Sequence, residues 1–578
     1  MEITQSLRAY LALIINKIGG HYWQDFICRP SIVMVGLDSS GKSTLFRELS
    51  HMTTETVTHF RKSGITCRRV AHRELGCDLI NAPDIRLLED HKDTIGVLDC
   101  LNGEDTVILV VRGTDALLDA ARLLELLAEH IGNRPVGMVV TFRDKCQEAA
   151  DQFSQDAELE LGIPVTAMNA RDLRIYDHKD FHQLVEHAAP LQRNMISGWE
   201  EAEAAVVPTA SIFETPWIGK ITSLSLLAAF FSATVFLGYL FASWGEGPFM
   251  QSVYVLLGKL LQNVPDGPFL FLLGANGEGP LTLTVGLFLW VIPLLVLYAI
   301  GHALVSESGI KDRVTTAVDP VAREIGLTGR DLLPVMCGYG CKVVGILESR
   351  RCGRGQRRPA VSFIGVGTTS FFQVTAAGIL FAVLEHYWMI IPYIALVFLV
   401  GVVHNRVWYG VLPAEEIMPV SSPSFIQWPR MSAVACQATA TVKEFLQHAL
   451  PLFFLSFILI GFAVHFGGFD RIAETMAPLM KMFRLPPEAS PALVWSLARK
   501  DIMIAMLSAD AGGIMHTLNV GQIFVLVYFA SVFSVTLPAL FMVVREMGLC
   551  FAVKMASTQL LTAVITTLVL AVVVIPWF

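Results

Sequence analysis

Charge is the first thing this chain is short of. Only 16% of its 578 residues are Asp, Glu, Lys or Arg, where soluble proteins carry about a quarter. With 53% hydrophobic residues, that shortage excludes a protein folded wholly in water. A basic surplus is missing too: 43 Lys and Arg stand against 51 Asp and Glu, a net charge of −8. No stretch interleaves aromatic with basic residues, so nucleic acid is excluded as a partner. Ten cysteines in so long a chain exclude a disulfide-stapled scaffold. Five of them lie in the N-terminal part, which reads as a domain of the reducing cytosol. A cleavable signal peptide is also lacking: "MEITQSLRAYLALIINKIGG" starts acidic and repeats apolar residues at helical spacing. Residues 1–29 therefore read as an amphipathic helix, either lying on a membrane surface or packed on the soluble domain.

What the chain does have is uneven. Residues 31–204 are rich in Arg, Glu, Asp and His, whereas long uncharged runs begin at Ile221. The longest are Ile221–Gly245, Pro280–Val305, Pro359–Leu384, Leu518–Val544 and Met555–Phe578. Each meets the ~20 residues a helix needs to cross a bilayer. With the shorter runs at 249–274, 387–403, 445–469 and 488–509, about eight spans are expected. Basic clusters at Lys311–Arg330 and Arg350–Arg358 put those loops on the same side as the N-terminal domain.

"PSIVMVGLDSSGKSTLFREL" is an apolar β-branched run, a glycine-containing turn and a helical pattern. The turn matches G-x-x-x-x-G-K-[ST] through Gly36, Asp38, Ser39, Ser40, Gly41, Lys42, Ser43 and Thr44. Such a turn curls consecutive backbone N–H groups around phosphates, with Lys42 as a mobile cation and the Ser43 hydroxyl as a Mg²⁺ ligand. The rest of the domain alternates strand and helix. Strands are expected at "GITCRRVAHREL", "CDLINAP", "TVILVVRG", "VGMVVTF" and "IPVTAMN", and helices over Asp115–His130, Glu148–Leu161 and His178–Ala188. After the fifth strand of this pattern comes "TFRDK". Asp144 can accept from N1 and the 2-amino group of guanine, with Phe142 against the base; the alternative is an aspartate in a surface loop. Its position favours guanine.

"GLDSSGKST" resembles the first motif of Ras-like and Arf-like GTPases, and the domain order resembles the ferrous iron transport protein B (FeoB) family. "GIPVTAMNARDL" is similar to that family's base-binding segment, which places Asn169 and Ala170 beside the base. "GITCRR" resembles its switch, which makes Thr66 a second residue able to reach Mg²⁺. The family's D-x-P-G is "NAPD" here: Asn81 replaces an aspartate of the Mg²⁺ shell, and Asp84 replaces a glycine near the γ-phosphate. The resemblance therefore implies GTP or GDP with Mg²⁺ as ligands, and slow hydrolysis at best.

The segment "ESGIKDRVTTAVDPVAREIGLTGRDLLPVMCGYGCKVVGILESRRC" resembles the family's gate region almost without gaps. There, Cys341 would face a pathway for Fe²⁺, a soft sulfur beside the harder oxygens of Glu307 and Asp501. The alternative is that Cys341 is a small residue at a helix crossing. Lys342, Glu348, Arg499 and Lys500 are further ionisable candidates inside the apolar region. Cys337, Cys352 and the methionines at 336, 503, 506 and 515 read as packing. Several departures matter. Lys342 stands where the family pattern has asparagine, Gly367 and Ser370 where it has a second cysteine and an arginine, and Val535–Leu537 where it has "TPC". The two half-motifs "GYGCKVVGILESR" and "SLARKDIMIAMLS" suggest an inverted repeat of interrupted helices.

The expected organisation is thus an α/β Ras-like P-loop GTPase domain followed by an all-α polytopic membrane domain. The segments are 1–29 (amphipathic), 30–190 (guanine-nucleotide domain), 191–215 (linker) and 216–578 (gate-type bundle, motifs near 331–352 and 490–510). The function the resemblance implies is GTP-controlled uptake of Fe²⁺ across a prokaryotic inner membrane, with the G domain in the cytosol. It also implies small accessory iron-transport proteins and a homo-oligomer as partners. Two other readings stay open: a membrane receptor that does not transport, and a gate-type transporter of another divalent metal or a nucleoside.

Overall fold

The computed structural model describes residues 31–37, 39–51, 58–62, 65–72, 76–82, 85, 98, 105–192, 206, 209–261, 280–352, 354–411, 425–498, 518–532 and 536–577. They fall into two units, the first ending at Thr209 and the second beginning at Ala210.

In the first unit, β1 (Ser31–Gly36) runs between two parallel neighbours, β4 (Cys77–Asn81) and β5 (Thr106–Arg112). Five of its six residues are buried, as a strand covered on both faces requires. Alternate residues serve opposite faces. Val33 and Val35 pack with Val107 and Leu109 on one face; Ile32 and Met34 pack with Ile108 and Val110 on the other. The sheet also contains β2 (Thr58–Lys62), β3 (Ile65–His72), β6 (Val136–Thr141) and β7 (Val165–Ala167), in the order β2-β3-β4-β1-β5-β6-β7. Only β2 and β3 run antiparallel to their neighbours. Among the described residues, four helices accompany it: α1 (Lys42–His51), α2 (Ala116–Ile131), α3 (Gln147–Leu161) and α4 (Ile175–Glu186). This is a Ras-like P-loop α/β domain, and every strand and helix the sequence predicts in it is present. The sequence pattern misses β2, whose "THFRK" lacks an apolar run.

The second unit is helical, and its order is α5 (Ile218–Leu261), α6 (Pro280–Glu307), α7 (Ile310–Arg323), α8 (Leu332–Gly340), α9 (Lys342–Glu348), α10 (Arg354–Val366), α11 (Phe371–Val383), α12 (Ile390–Trp408), α13 (Met431–His448), α14 (Leu450–His465), α15 (Gly468–Met482), α16 (Ser490–Ala498), α17 (Val520–Val532), α18 (Leu537–Met547) and α19 (Leu549–Val574). Among the described residues, five helical stretches are long and apolar enough to cross a membrane: 218–241, 387–408, 431–463, 520–547 and 549–577. A sixth arises if α6 and α7, bent by 90° at Ser308–Gly309, are counted as one. The surface fits lipid. Ile221, Leu224, Phe236, Leu237 and Leu240 of α5 are exposed, and Trp217 and Trp244 flank its crossing segment as interfacial anchors.

The run Pro359–Leu384, expected as one span, is instead two helices. α10 stops at Val366, and α11 restarts at Phe371 behind a capping box in which Gln373 accepts from the Ser370 backbone N–H at 2.9 Å. A hydroxyl-rich "GTTS" break offers the backbone caps that an apolar run would not. The N-terminal segment 1–29 and most of the second half-motif, 499–508, lie outside the described residues.

Candidate functional site

The loop after β1 is shaped by its backbone. Ser39 and Gly41 both hold positive φ, 61° and 81°, which turns the chain back on itself before α1 begins at Lys42. A Cβ on Gly36 would lie 2.6 Å from Ser40 Oγ and 2.7 Å from the Val110 carbonyl, so only glycine fits. The Thr44 and Leu45 N–H groups both turn to the Gly41 carbonyl, at 3.0 and 2.9 Å, and start the helix. Its N-terminus thus faces the concavity, the arrangement that suits phosphate. Asp38 lies outside the described residues.

Lys42 is 1% exposed, and its Nζ donates to the Ala82 carbonyl of the "NAPD" segment. Asn81, one residue earlier, donates from Nδ2 to Ser43 Oγ at 3.3 Å, while its buried Oδ1 has no hydrogen-bond partner. Ser40 Oγ is likewise buried without a partner. A bound phosphate offers the acceptor that the Ser40 hydroxyl lacks, whereas Asn81 Oδ1 is itself an acceptor and calls for a donor or a cation. The residues therefore fit a nucleotide's phosphates. Mg²⁺ would be held by Ser43 with a neutral amide beside it in place of a carboxylate. Asp84 and the side chain of Thr66 lie outside what the structure describes; Thr66 itself sits in β3, opposite Arg61.

The residues expected beside a base follow the neighbouring strands β6 and β7. Phe142 holds a positive φ of 57° directly after β6. Its carbonyl accepts from the Lys145 N–H at 2.9 Å and from the Cys146 thiol at 3.2 Å, which closes the loop. Asp144 is partly exposed and pairs with Lys145 at 3.0 Å, a contact of small energetic weight. Asn169 accepts from the Arg171 N–H at 3.1 Å, and Ala170 is buried. Burial, reinforced by the carboxylates of Asp144, Asp115 and Asp151, pushes the Cys146 thiol up to about 11.

Thr141, which the motif reading passes over, ties the two halves together. Its buried hydroxyl lies 2.7 Å from the Ser40 carbonyl and 3.0 Å from that of Val111, and its side chain packs on Gly41. The phosphate loop and the "FRDK" loop are thereby fixed to each other. The signal was available as a hydroxyl residue ending the strand before "FRDK".

In the helical unit, Cys341 sits at a break. α8 ends at Gly340, Cys341 is extended (φ −147°, ψ 119°), and α9 starts at Lys342. Cys341 and Cys337 line a small apolar cavity of about 20 Å³ with Thr234, Val291, Leu294 and Tyr298. Glu307 is not among its lining residues; its carboxylate lies 4.0 Å from Arg430 at the end of α6. Asp501, Arg499 and Lys500 lie outside the described residues. Among the described residues, no group of three or more His, Cys, Asp or Glu side chains could hold a metal ion. Lys342 is 4% exposed and donates to the Gly365 carbonyl at 2.8 Å.

A second polar cluster joins distant helices. Arg350 meets Glu546 with both Nε (2.9 Å) and Nη2 (2.6 Å), and reaches Glu444 through Nη1 at 2.6 Å. Arg357 also donates to Glu546, at 2.8 Å. The turn after α9, α10, α13 and α18 are thus held at one place.

Comparison with known proteins agrees with this plan. A family model described as "Gate: Nucleoside recognition" matches residues 446–550. The Fe(2+) transporter FeoB of Campylobacter jejuni is 20% identical over 566 residues, covering 84% of this chain and 86% of that protein. The FeoB of Synechocystis is 22% identical, covering 84% and 85%.

Along most of its length, this chain is similar to the FeoB transporters.

The FeoB of Legionella pneumophila reaches 30% identity, but over 128 residues only, 21% of this chain and 17% of its own. Among solved structures, the G domain of the T. maritima FeoB iron transporter is 22% identical and covers 27% of this chain and 98% of its own, with a TM-score of 0.23. Two of the positions that differ from the FeoB pattern are described in detail, the neutral Asn81 and the buried Lys342.

Proposed function

We propose that this chain is a guanine-nucleotide-controlled carrier of Fe²⁺ in a prokaryotic inner membrane, its nucleotide domain in the cytosol. The supporting observation is collinearity: similarity to relatives named Fe(2+) transporters runs over 84% of the chain. The phosphate cradle and a broken helix at Cys341 both lie on that chain. GTP or GDP would sit with its phosphates against residues 39–44 and its base between Phe142, Asp144, Asn169 and Ala170. Mg²⁺ would be held by Ser43 and reached from Thr66. Asn81 removes one negative charge from that shell, so hydrolysis is slow and the domain acts as a switch. Its control over the membrane unit is bounded by the difference in nucleotide affinity between the two states. Cys341 would offer sulfur to the cation, and Glu307 and Asp501 oxygen.

A receptor that binds nucleotide without moving metal is the second reading. It is favoured by the apolar lining around Cys341 and by the ammonium of Lys342 one residue away. Uptake of radioactive Fe²⁺ into proteoliposomes, with GTP, with GDP and without nucleotide, separates the two. Nucleotide-dependent uptake that Cys341→Ser abolishes supports the carrier and its thiol. No uptake by a protein that still binds GTP supports the receptor.

A further inference from the structure

α10 ends inside the helical unit, and its last carbonyls have lost the helical N–H partners that a continuous span would supply. Two side chains from the α8–α9 segment take their place. Lys342 Nζ donates to the Gly365 carbonyl at 2.8 Å, and Tyr339 Oη donates to the Gly367 carbonyl at 3.0 Å. The approach is close because Gly338 has no side chain: a Cβ there would lie 2.8 Å from Thr368 Oγ1. Thr369, in the same break, is fully buried, and its hydroxyl has no partner.

The C-terminal end of a helix carries partial negative charge, and the carbonyl ends of interrupted membrane helices are where cations settle. An isolated ammonium in such surroundings is costly unless something compensates it. Lys342 forms no ion pair with a carboxylate among the described residues. The compensation the described residues offer it is the Gly365 carbonyl at that end. An ammonium is close to K⁺ in size and charge, and it arrives here on a four-carbon stem from the neighbouring break.

We propose that Lys342 is a tethered cation, filling from within the chain a carbonyl site at the end of α10 that would otherwise hold a free monovalent cation of K⁺ size. The native protein then needs no ion at that place, and removing the ammonium creates an ion site. This stands apart from the Fe²⁺ reading, since it concerns cation binding rather than flux.

The test is thermal unfolding of the full-length, nucleotide-free protein in detergent. KCl, NaCl and N-methylglucamine chloride are compared at equal ionic strength. Lys342→Asn and Lys342→Met should unfold several degrees below the native protein in N-methylglucamine and recover at least half of that loss in K⁺. The native protein and Lys342→Arg should respond to the exchange less than either variant. Equal responses in native and variant proteins overturn the proposal. So does failure of both neutral variants to fold in K⁺ as well as in N-methylglucamine, because a filled site would support them. Native Fe²⁺ uptake, measured separately, decides the transport reading and leaves this one standing or falling on its own.

Discussion

The phosphate loop and the crossing of broken helices do the same kind of work by opposite means. Each turns backbone polar groups toward a charge. In the loop, the groups come from consecutive residues, 39–44, and the geometry is written in two positive φ angles and two glycines. In the crossing, Tyr339 and Lys342 meet Gly367 and Gly365 from another helix, more than twenty residues away in sequence. Local construction makes a site that tolerates change elsewhere. Construction from distant segments makes one whose parts stabilise each other, so losing one part disturbs several helices.

That difference ranks the expected effects of substitution. The largest should come from Glu546, which holds two arginines and, through Arg350, meets Glu444 as well. Glu546→Ala leaves the Arg357 guanidinium without its carboxylate and Arg350 with Glu444 alone, a loss of about 3–5 kcal/mol. Thermal unfolding in detergent should show it as a large drop in midpoint, with GTP affinity measured on the folded fraction unchanged. If the midpoint hardly moves, the distant polar cluster is not what holds these helices together.

Lys42→Ala is the matching change in the local site. It removes one charge-assisted contact to phosphate, about 1.5–3 kcal/mol, or roughly 10- to 150-fold in nucleotide affinity. Equilibrium binding of a fluorescent GDP analogue measures it directly. The helical unit's unfolding should not change. Tight binding in this variant would contradict the cradle.

The same contrast explains what could be read from sequence. The strands of the nucleotide domain were legible because "SIVMVG", "TVILVVR" and "VGMVVT" are continuous apolar runs, the mark of a sheet covered on both faces. The residues expected to meet phosphate stand together because one short segment carries them all. Thr141 was not singled out, since its role exists only where β6 lies beside the turn after β1. β2 was missed because "THFRK" is an edge strand with no apolar run. In the membrane unit, hydropathy showed that the region spans but not where its helices stop. Pro359–Leu384 passes for one crossing until Ser370 is seen capping a new helix. The Lys342–Gly365 contact pairs a side chain with a backbone oxygen, and no residue type at position 365 announces it.

A smaller effect should follow from Asn81→Asp. Asn81 now donates to Ser43 Oγ, the hydroxyl that would ligate Mg²⁺. A carboxylate there would accept from that hydroxyl and add a negative charge to the cation's shell. Mg²⁺ should then slow nucleotide release more strongly, by a factor on the order of ten at the same Mg²⁺ concentration. Release of the fluorescent analogue, followed across a Mg²⁺ titration, reads it. An unchanged Mg²⁺ dependence would mean that Asn81 lies outside the shell and that the departure from the family motif has no electrostatic consequence.

The smallest effect concerns Cys146, and it tests whether the base loop is as closed as its hydrogen bonds imply. The thiol donates to the Phe142 carbonyl and is raised from 9.0 to about 11 by burial first, then by the nearby carboxylates of Asp144, Asp115 and Asp151. A thiol raised in the folded state stays neutral there at a pH where the unfolded chain has begun to ionise. The loop therefore keeps its full stability below pH 9 and loses it progressively as pH climbs from 9 toward 11. Alkylation follows the thiolate, so two pH units of protection slow the reaction about a hundredfold near pH 8, before any steric shielding is added. Iodoacetamide labelling of Cys146, located by peptide mass spectrometry in folded and in urea-unfolded protein, gives the ratio. Removing the carboxylate of Asp144 by Asp144→Asn should bring only part of the reactivity back, because burial is the larger cause. Full recovery in that variant would show a loop open to water and held by charge alone, and the local site would then be no more self-contained than the distant one.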